Sequence, residues 1–507
     1  MIASDLSTNA SAVDRRLQST KMPIEVSIAV LGGLILLVAD AWGLSLIPLV
    51  ANLEKAYSLS PSEAAWTLAI PGLVAAGFVP TVARLGDRLG MRPLVLASLA
   101  VGLIGNILCG VASGFVLLLI GRAVLGASAA LPLIYALLRA RGTNAQRVTR
   151  GVAILTAASG VGVAVAYLMS GLIIQANGGV RTVFWVISIL AALSLLVAWF
   201  YLPDSHHRET EPIDWGGAVG VCVGLVFVVL AITEGNTWGW SAGSTLASLF
   251  GGLAVLAIFA FYETRQANPL INVVRIANRT AAPAFFVIAI LGTGAIYTNL
   301  AQATYTELPT ATGYGLGLTV LEASLGLCAI SLALLIGGMV AHPVINRFGP
   351  RPVMVVSSLI IAANFVVLAF AHNGVWHFIV WDFIWGFVWA FDYTAAITAF
   401  LHDAAPREAA MYSSANTVIT SAVGGLGPAV FTAILTSKFI PHTPIPDPSV
   451  FKEMWIYAAI AMVIVAAVSL LVRRPTFIGQ EASAEAAVPF PEAPSASGPA
   501  TAGPEPA

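Results

Sequence analysis

The chain reads as long apolar runs separated by short polar interruptions. About fourteen runs of roughly 20 residues recur, near 27–48, 64–82, 93–112, 115–138, 151–174, 182–202, 215–233, 244–262, 281–305, 321–341, 353–371, 376–400, 412–436 and 454–472. Each is long enough to cross a roughly 30 Å hydrocarbon core as a helix, and none shows the alternation over about ten residues that barrel strands require. The pattern predicts an all-α polytopic membrane protein. The first run is too long for the apolar core of a signal peptide and has no small-residue cleavage pattern after it, so it is expected to remain as a span.

Composition agrees, with 58% hydrophobic residues and a mean hydropathy of +0.88, against roughly 45–50% apolar in soluble domains. Only 10% of residues are charged, so their placement is informative. With the N-terminus inside and the runs alternating, nineteen of the 24 Lys and Arg fall on one side and Lys55, Arg181, Lys438 and Lys452 on the other, with Arg122 left inside a run. Basic loops stay cytoplasmic, so both termini are expected there. Cys109, Cys222 and Cys328 lie within runs, where a thiol acts as a small hydrophobe, and no disulfide is expected. The tail from about 478 is rich in Ala, Pro, Ser and Glu and is expected to be disordered.

One short loop breaks the scarcity of charge. RLGDRLGMRP (84–93) holds three arginines and an aspartate. LGDRLGMRPLV (85–95) aligns with VINRFGPRPVM (344–354), matching Arg88 to Arg347, Gly90 to Gly349, Arg92 to Arg351 and Pro93 to Pro352, while Asp87 becomes Asn346. The copies follow the second and tenth runs, which implies a duplicated six-span unit with the seventh and eighth runs inserted. The expected segments are a cytoplasmic N-terminal stretch (1–24), a six-helix bundle (25–203), a two-helix insert (204–265), a second six-helix bundle (266–474) and a cytoplasmic tail (475–507).

At these residues the chain resembles the major facilitator superfamily, and its layout resembles the fourteen-span drug:proton antiporter family within it. That family's loop motif, Gly-x-Leu-x-Asp-Arg-x-Gly-Arg-Arg, is met by Leu85, Asp87, Arg88, Gly90 and Arg92, with Ala83 and Met91 in place of the first glycine and one arginine. Trp66 and Pro80 stand where the family has them. LLLIGRAVLGASAA resembles its Arg-x-x-Gln-Gly pattern through Arg122 and Gly126, with Leu125 for the glutamine; IDWGG (213–217), TWGW (237–240), TGYG (312–315) and AMYSSANTVITSAVGGLGPAV (410–430) extend the likeness. The fifth span departs, reading AYLMSG with Ala166 and Tyr167 in place of the Gly-Pro of the antiporter pattern Gly-Pro-x-x-Gly-Gly. The resemblance implies two major-facilitator bundles that open to each side in turn, with a latch formed by Asp87, Arg88, Gly90 and Arg92 and, in the second copy, Asn346, Arg347 and Arg351.

Ionisable residues inside spans cost about 2.5–3.5 kcal/mol each on insertion scales, so each calls for a partner or water. Asp40 lies about 20 Å along its rising span, and Arg122 about 10 Å into a descending one, which brings them to similar depth. They are expected to pair, with Asp40 as the proton or substrate carboxylate and Arg122 as its electrostatic partner; a static buried ion pair is the alternative. Asp382 and Asp392 are ten residues apart on the twelfth span, about 80° short of superposition, so one wide face is able to show both to a cavity. Trp381, Trp385 and Trp389 form a separate stripe for which lipid is the favoured side; turned inward, Trp385 and Trp389, with Trp42 and Tyr167, would make a platform for a flat aromatic or cationic compound. Glu234, Glu307 and Glu322 sit near outer span ends and are expected to be solvated, with gating of the cavity as the alternative for Glu307.

Other chemistries find no support. The chain has no GxxxxGK[ST] loop for ATP, His206 and His207 lack a second ligand cluster, and the basic residues are spread over many loops rather than gathered for nucleic acid. Neither a metal, a cofactor nor an enzymatic constellation is expected. The leading expectation is a secondary transporter, a monomer in a bacterial inner or plasma membrane, exporting amphipathic or aromatic small molecules against protons. Proton-coupled uptake of a nutrient or metabolite is the alternative.

Overall fold

The computed structural model describes residues 24–141, 145–204, 214–266, 269–278, 281–401, 406–443 and 445–472. The expected terminal segments, His206 and His207 lie outside the described residues. The helices are α1 (Ile24–Leu44), α2 (Val50–Tyr57), α3 (Pro61–Leu89), α4 (Met91–Val111), α5 (Phe115–Gly126), α6 (Ala130–Arg141), α7 (Ala145–Gln175), α8 (Val180–Tyr201), α9 (Trp215–Trp238), α10 (Gly243–Glu263), α11 (Val273–Ile276), α12 (Ala281–Glu307), α13 (Val320–Phe348), α14 (Pro350–Phe370), α15 (Val375–Leu401), α16 (Pro406–Leu435) and α17 (Pro448–Ser469).

Among the described residues, thirteen segments are long and apolar enough to cross a membrane, the first running from Ile24 to Tyr57. The fourth apolar run is the exception. It is interrupted at 127–129 and continues as two twelve-residue helices, α5 and α6. Pro132, in the first turn of α6, has no N–H to give the carbonyl of Ser128, so a continuous ladder would have failed there.

The duplication read from the loop extends through whole helices. Both α3 and α13 open on a capping box, Ser60 with Glu63 and Thr319 with Glu322, in which each side chain satisfies the other's backbone N–H. Both helices end at a single glycine of positive φ, Gly90 at +103° and Gly349 at +83°, from which the next helix starts at once. The interval from Ser60 to Gly90 equals that from Thr319 to Gly349. The glycine is required because a side chain at that φ meets its own backbone.

Apolar packing falls into three groups. Buried residues between Ile28 and Leu202 form one cluster and those between Ala281 and Val472 another, the latter also taking in Ile47 and Tyr167. A small third cluster sets α9 and α10 against α3 and α16 through Leu73, Val221, Phe259 and Val418. Where α3 meets α16 and α7 meets α13, glycines also let the backbones close up. A Cβ on Gly72 of α3 would stand 2.7 Å from the Gly425 nitrogen and the Ser421 oxygen of α16, and one on Gly171 of α7 would stand 2.7 Å from the Leu321 Cα of α13. Small residues at these crossings let backbones approach in a membrane, where no hydrophobic drive brings helices together.

Candidate functional site

Asp40 is held by α7. Its Oδ2 accepts a hydrogen bond from Ser159 Oγ at 2.8 Å, and Gly162 leaves the room, since a Cβ there would lie 2.8 Å from the same oxygen. Arg122, only 2% exposed, donates from Nε to the Thr67 carbonyl at 2.9 Å and from Nη1 to the Trp42 carbonyl at 2.8 Å. The expected Asp40–Arg122 pair is therefore not formed, and the reason lies in the backbone. Trp42 is in the last turn of α1, whose carbonyls lack helical donors, and the Thr67 carbonyl is left open because residue 71, four on, is proline. The guanidinium fork fills both vacancies. Trp42 itself belongs to the first apolar cluster, its ring lying where a Cβ on Gly102 would stand 2.5 Å away.

A line of polar groups runs from α7 through α12 to α15. Tyr167, 2% exposed on α7, receives a hydrogen bond from Asn299 Nδ2 of α12 at 3.4 Å. One turn further along α12, Gln302 Nε2 donates to Asp382 Oδ2 of α15 at 2.5 Å. Ser159, which holds Asp40, stands about two turns from Tyr167 on the same helix α7. Asn299 and Gln302 were not among the sequence candidates, although two amides three residues apart in an apolar run share a helix face and signal an inward stripe.

The two acids of α15 turn to different neighbours. Asp382 faces α12, whereas Asp392, fully buried, accepts from Ser358 Oγ of α14 at 2.5 Å, and its Oδ1 has no hydrogen-bond partner. Neither acid lines the cavities described below. The tryptophan stripe also departs from expectation. Trp385 and Trp389 face inward, lining a cavity of about 230 Å³ with Leu291, Tyr297, Phe365 and Met462, and Trp389 stacks on Tyr393 at 4.7 Å and 11°. The Trp389 Nε1–H donates to the Leu291 carbonyl at 3.3 Å, which fixes the ring on that side.

A larger cavity, about 720 Å³, opens between the ends of α2, α7, α12, α13 and α16. Ile47, Val50, Ile174, Leu321 and Leu435 supply apolar wall, and Glu54, Lys55, Gln175, Thr304 and Glu307 its polar groups. Glu307 was expected to be solvated; instead its Oε1 is buried without a hydrogen-bond partner. Glu234 accepts from Ser62 Oγ, and Glu322 is engaged in its capping box.

At the opposite helix ends lies the charged loop. Arg92 is 2% exposed; its backbone N–H donates to Asp204 Oδ1 at 3.1 Å and its Nη2 to the Trp199 carbonyl at 2.6 Å, so these contacts run from α4 to the end of α8 within the first cluster rather than across to the second. Arg84 donates to the Pro269 carbonyl, tying α3 to the segment ahead of α11. Arg88, Asn346 and Arg347 are exposed, Arg347 lying 5.4 Å over the Phe348 ring, and Arg351 is half-buried; the side chain of Asp87 lies outside the described residues. Gly90→Ala is expected to lower stability by about 1–2 kcal/mol from its positive φ alone, and further because the new Cβ would stand 2.9 Å from Asp204 Oδ1. Thermal unfolding of the purified protein measures this; an unchanged midpoint would show that the joint relaxes at no cost.

Duplicated apolar helices around a buried polar line define a multi-pass membrane protein with a polar interior. A sequence profile described as Major Facilitator Superfamily matches residues 30–428 and 284–501, and the chain belongs to that superfamily. It is 26% identical over 322 residues to the Major facilitator superfamily multidrug transporter mfsC of Aspergillus fumigatus, covering 63% of this chain and 61% of that protein. It is 25% identical over 357 residues to the Multidrug resistance protein Stp of Mycobacterium tuberculosis, covering 67% and 64%. The matches thus span less than two thirds of these relatives' lengths. A uridine/deoxyuridine transporter of Lactococcus lactis is 29% identical over 236 residues, 45% of this chain and 48% of that one. Among solved structures the fold is shared with the nucleoside transporter NupG, at a TM-score of 0.62 and 15% identity, over 89% of this chain and 99% of that chain.

Proposed function

We propose that the protein is a secondary active transporter that exports amphipathic or aromatic small molecules in exchange for protons by alternating access. The observation that carries this reading is the set of buried polar groups that runs from Asp40 and Ser159 along α7 to Tyr167, and by way of Asn299 and Gln302 of α12 to Asp382 of α15. In this mechanism Asp40 takes and releases the proton, Arg122 holds the carbonyls of α1 and α3 in register beside it, and Asp382 with its amide partner forms the far wall of the substrate path. Trp385 and Trp389 offer the aromatic platform. The names of the multidrug relatives support the substrate class. The arginine bias supports an extracytoplasmic position for the 720 Å³ cavity, and such an arrangement fits a release state open to the outside. Both termini are then cytoplasmic, the chain acts as a monomer in a bacterial inner membrane, and the six-helix bundles rock about the insert.

A second reading has its own support. Uptake of a nucleoside fits the amides Asn299 and Gln302, which supply the hydrogen bonds a base requires, and the uridine/deoxyuridine transporter among the relatives points the same way. Vesicles decide between them. Under a proton gradient, inverted vesicles are expected to accumulate a fluorescent aromatic drug and to release protons when it is added, with right-side-out vesicles gaining no uridine. Uridine loading of right-side-out vesicles alone would replace export by uptake.

A further inference from the structure

The motif IDWGG opens α9, and its aspartate is engaged on one oxygen only. Asp214 Oδ1 caps the helix by accepting from the Gly217 N–H at 2.8 Å and also accepts from the Tyr262 hydroxyl at 3.2 Å. Glu263, the last residue of α10, gives Oε2 to the Ile271 N–H at 2.9 Å. The remaining oxygens, Asp214 Oδ2 and Glu263 Oε1, are both buried and neither has a donor. The residues are 8% and 2% exposed. Both oxygens point to the notch left by Gly217, where a Cβ would overlap Glu263 Oε1 and stand 2.7 Å from Asp214 Oδ2.

Two buried acceptors that face each other with no donor repel unless something positive lies between them. The neighbouring cations do not fill that place. Arg84 of α3 spends a donor on the Pro269 carbonyl and acts on Glu263 only at longer range, and the Arg265 guanidinium lies 4.9 Å over the Phe261 ring. Tyr262, the other titratable group on α10 here, is turned to Asp214 Oδ1. The charged side chains at the start of α16, Arg407 and Glu408, lie outside the described residues. Among the described residues no group supplies the missing hydrogen.

We propose that Glu263 carries a proton that its Oε1 donates to Asp214 Oδ2, a carboxyl–carboxylate hydrogen bond that closes the two ends of the insert onto each other. It is a proton site apart from Asp40, standing on α9 and α10 and reached through neither cavity lining. Through Glu263 Oε2 the clasp also holds Ile271, and with it the chain that leads into α12. Above the ordinary carboxylate range the unfolded chain has released this proton while the folded protein keeps it, so stability is greatest in acid, falls as pH rises through that interval, and levels off once the folded protein releases the proton in turn.

Thermal unfolding of the full-length protein in detergent, from acidic to alkaline pH, tests this. The wild type is expected to lose midpoint temperature as pH rises from the ordinary carboxylate range and then to level off. Glu263→Gln puts a permanent amide donor against Asp214 Oδ2, so its midpoint should stay near the wild-type value at low pH and this fall should vanish. Glu263→Leu should be lowered at every pH. A Glu263→Gln profile that follows the wild-type fall, or one that matches Glu263→Leu throughout, overturns the proposal. Infrared spectra give a second measure: a protonated-carboxyl C=O band lost in both Asp214→Asn and Glu263→Gln but kept in Asp40→Asn supports it, and a spectrum unchanged by either variant overturns it.

Discussion

Asp40→Asn is expected to abolish proton-driven transport while leaving a folded, membrane-inserted protein. Asparagine keeps the volume beside Gly162 and can still accept from Ser159 Oγ, so packing along α7 is preserved. What disappears is the exchangeable charge. Energised vesicles should show background accumulation only, whereas facilitated equilibration of drug without a gradient should persist. Wild-type rates of gradient-driven transport in the variant would remove Asp40 from the coupling step. Loss of equilibration together with accumulation would mean that the carboxylate holds substrate rather than the proton.

Arg122→Leu should be the most damaging single change to stability. Deleting the guanidinium leaves two buried carbonyls, those of Trp42 and Thr67, without donors. At about 1–3 kcal/mol for each buried group left unsatisfied, the loss is about 2–6 kcal/mol. Arg122→Lys should recover only part of this, because an ammonium is a point donor and cannot span two carbonyls as the fork does. Unfolding temperatures of the three proteins in one detergent measure it. Equal stability of the leucine variant and wild type would show that the two carbonyls find other donors, and would return Arg122 to a purely electrostatic role.

Much of the fold was legible in hydropathy because a membrane asks little more of a helix than length and apolar character. The break at 127–129 was not, although Gly126 and Pro132 flank it. Pro71, Pro80, Pro343 and Pro428 lie inside helices that continue through them, so a proline in an apolar run does not by itself mark an end. The repeated loop was readable from matched residues, and the capping boxes SPSE and TVLE would have extended the repeat to both ends of α3 and α13 had they been sought.

The site was legible in its charges and opaque in their partners. Asp40, Arg122, Asp382 and Asp392 stand out in any apolar run. Their neighbours do not, because serine hydroxyls and main-chain carbonyls carry no distinctive sequence signal. Arg122 shows this most clearly: one of its acceptors exists because Pro71 cannot donate, a consequence visible only once α3 is known to be helical there. The same limit misdirected the tryptophan stripe, since periodicity gives a face but not which side of the helix meets lipid.

The crossings at Gly72 and Gly171 carry one more consequence. Two helices that interlock through side chains must lift over one another to slide, and each tooth adds a barrier; a bare backbone pressed against another has no teeth. The major partition of this molecule therefore has smooth bearings at these two crossings, and any relative tilting of its sides would meet more resistance where Ile47, Tyr167, Leu73 and Val418 reach across it. Substitutions that put a branched side chain at either glycine would act like grit in a journal, seizing motion well before they disturbed any residue that touches cargo.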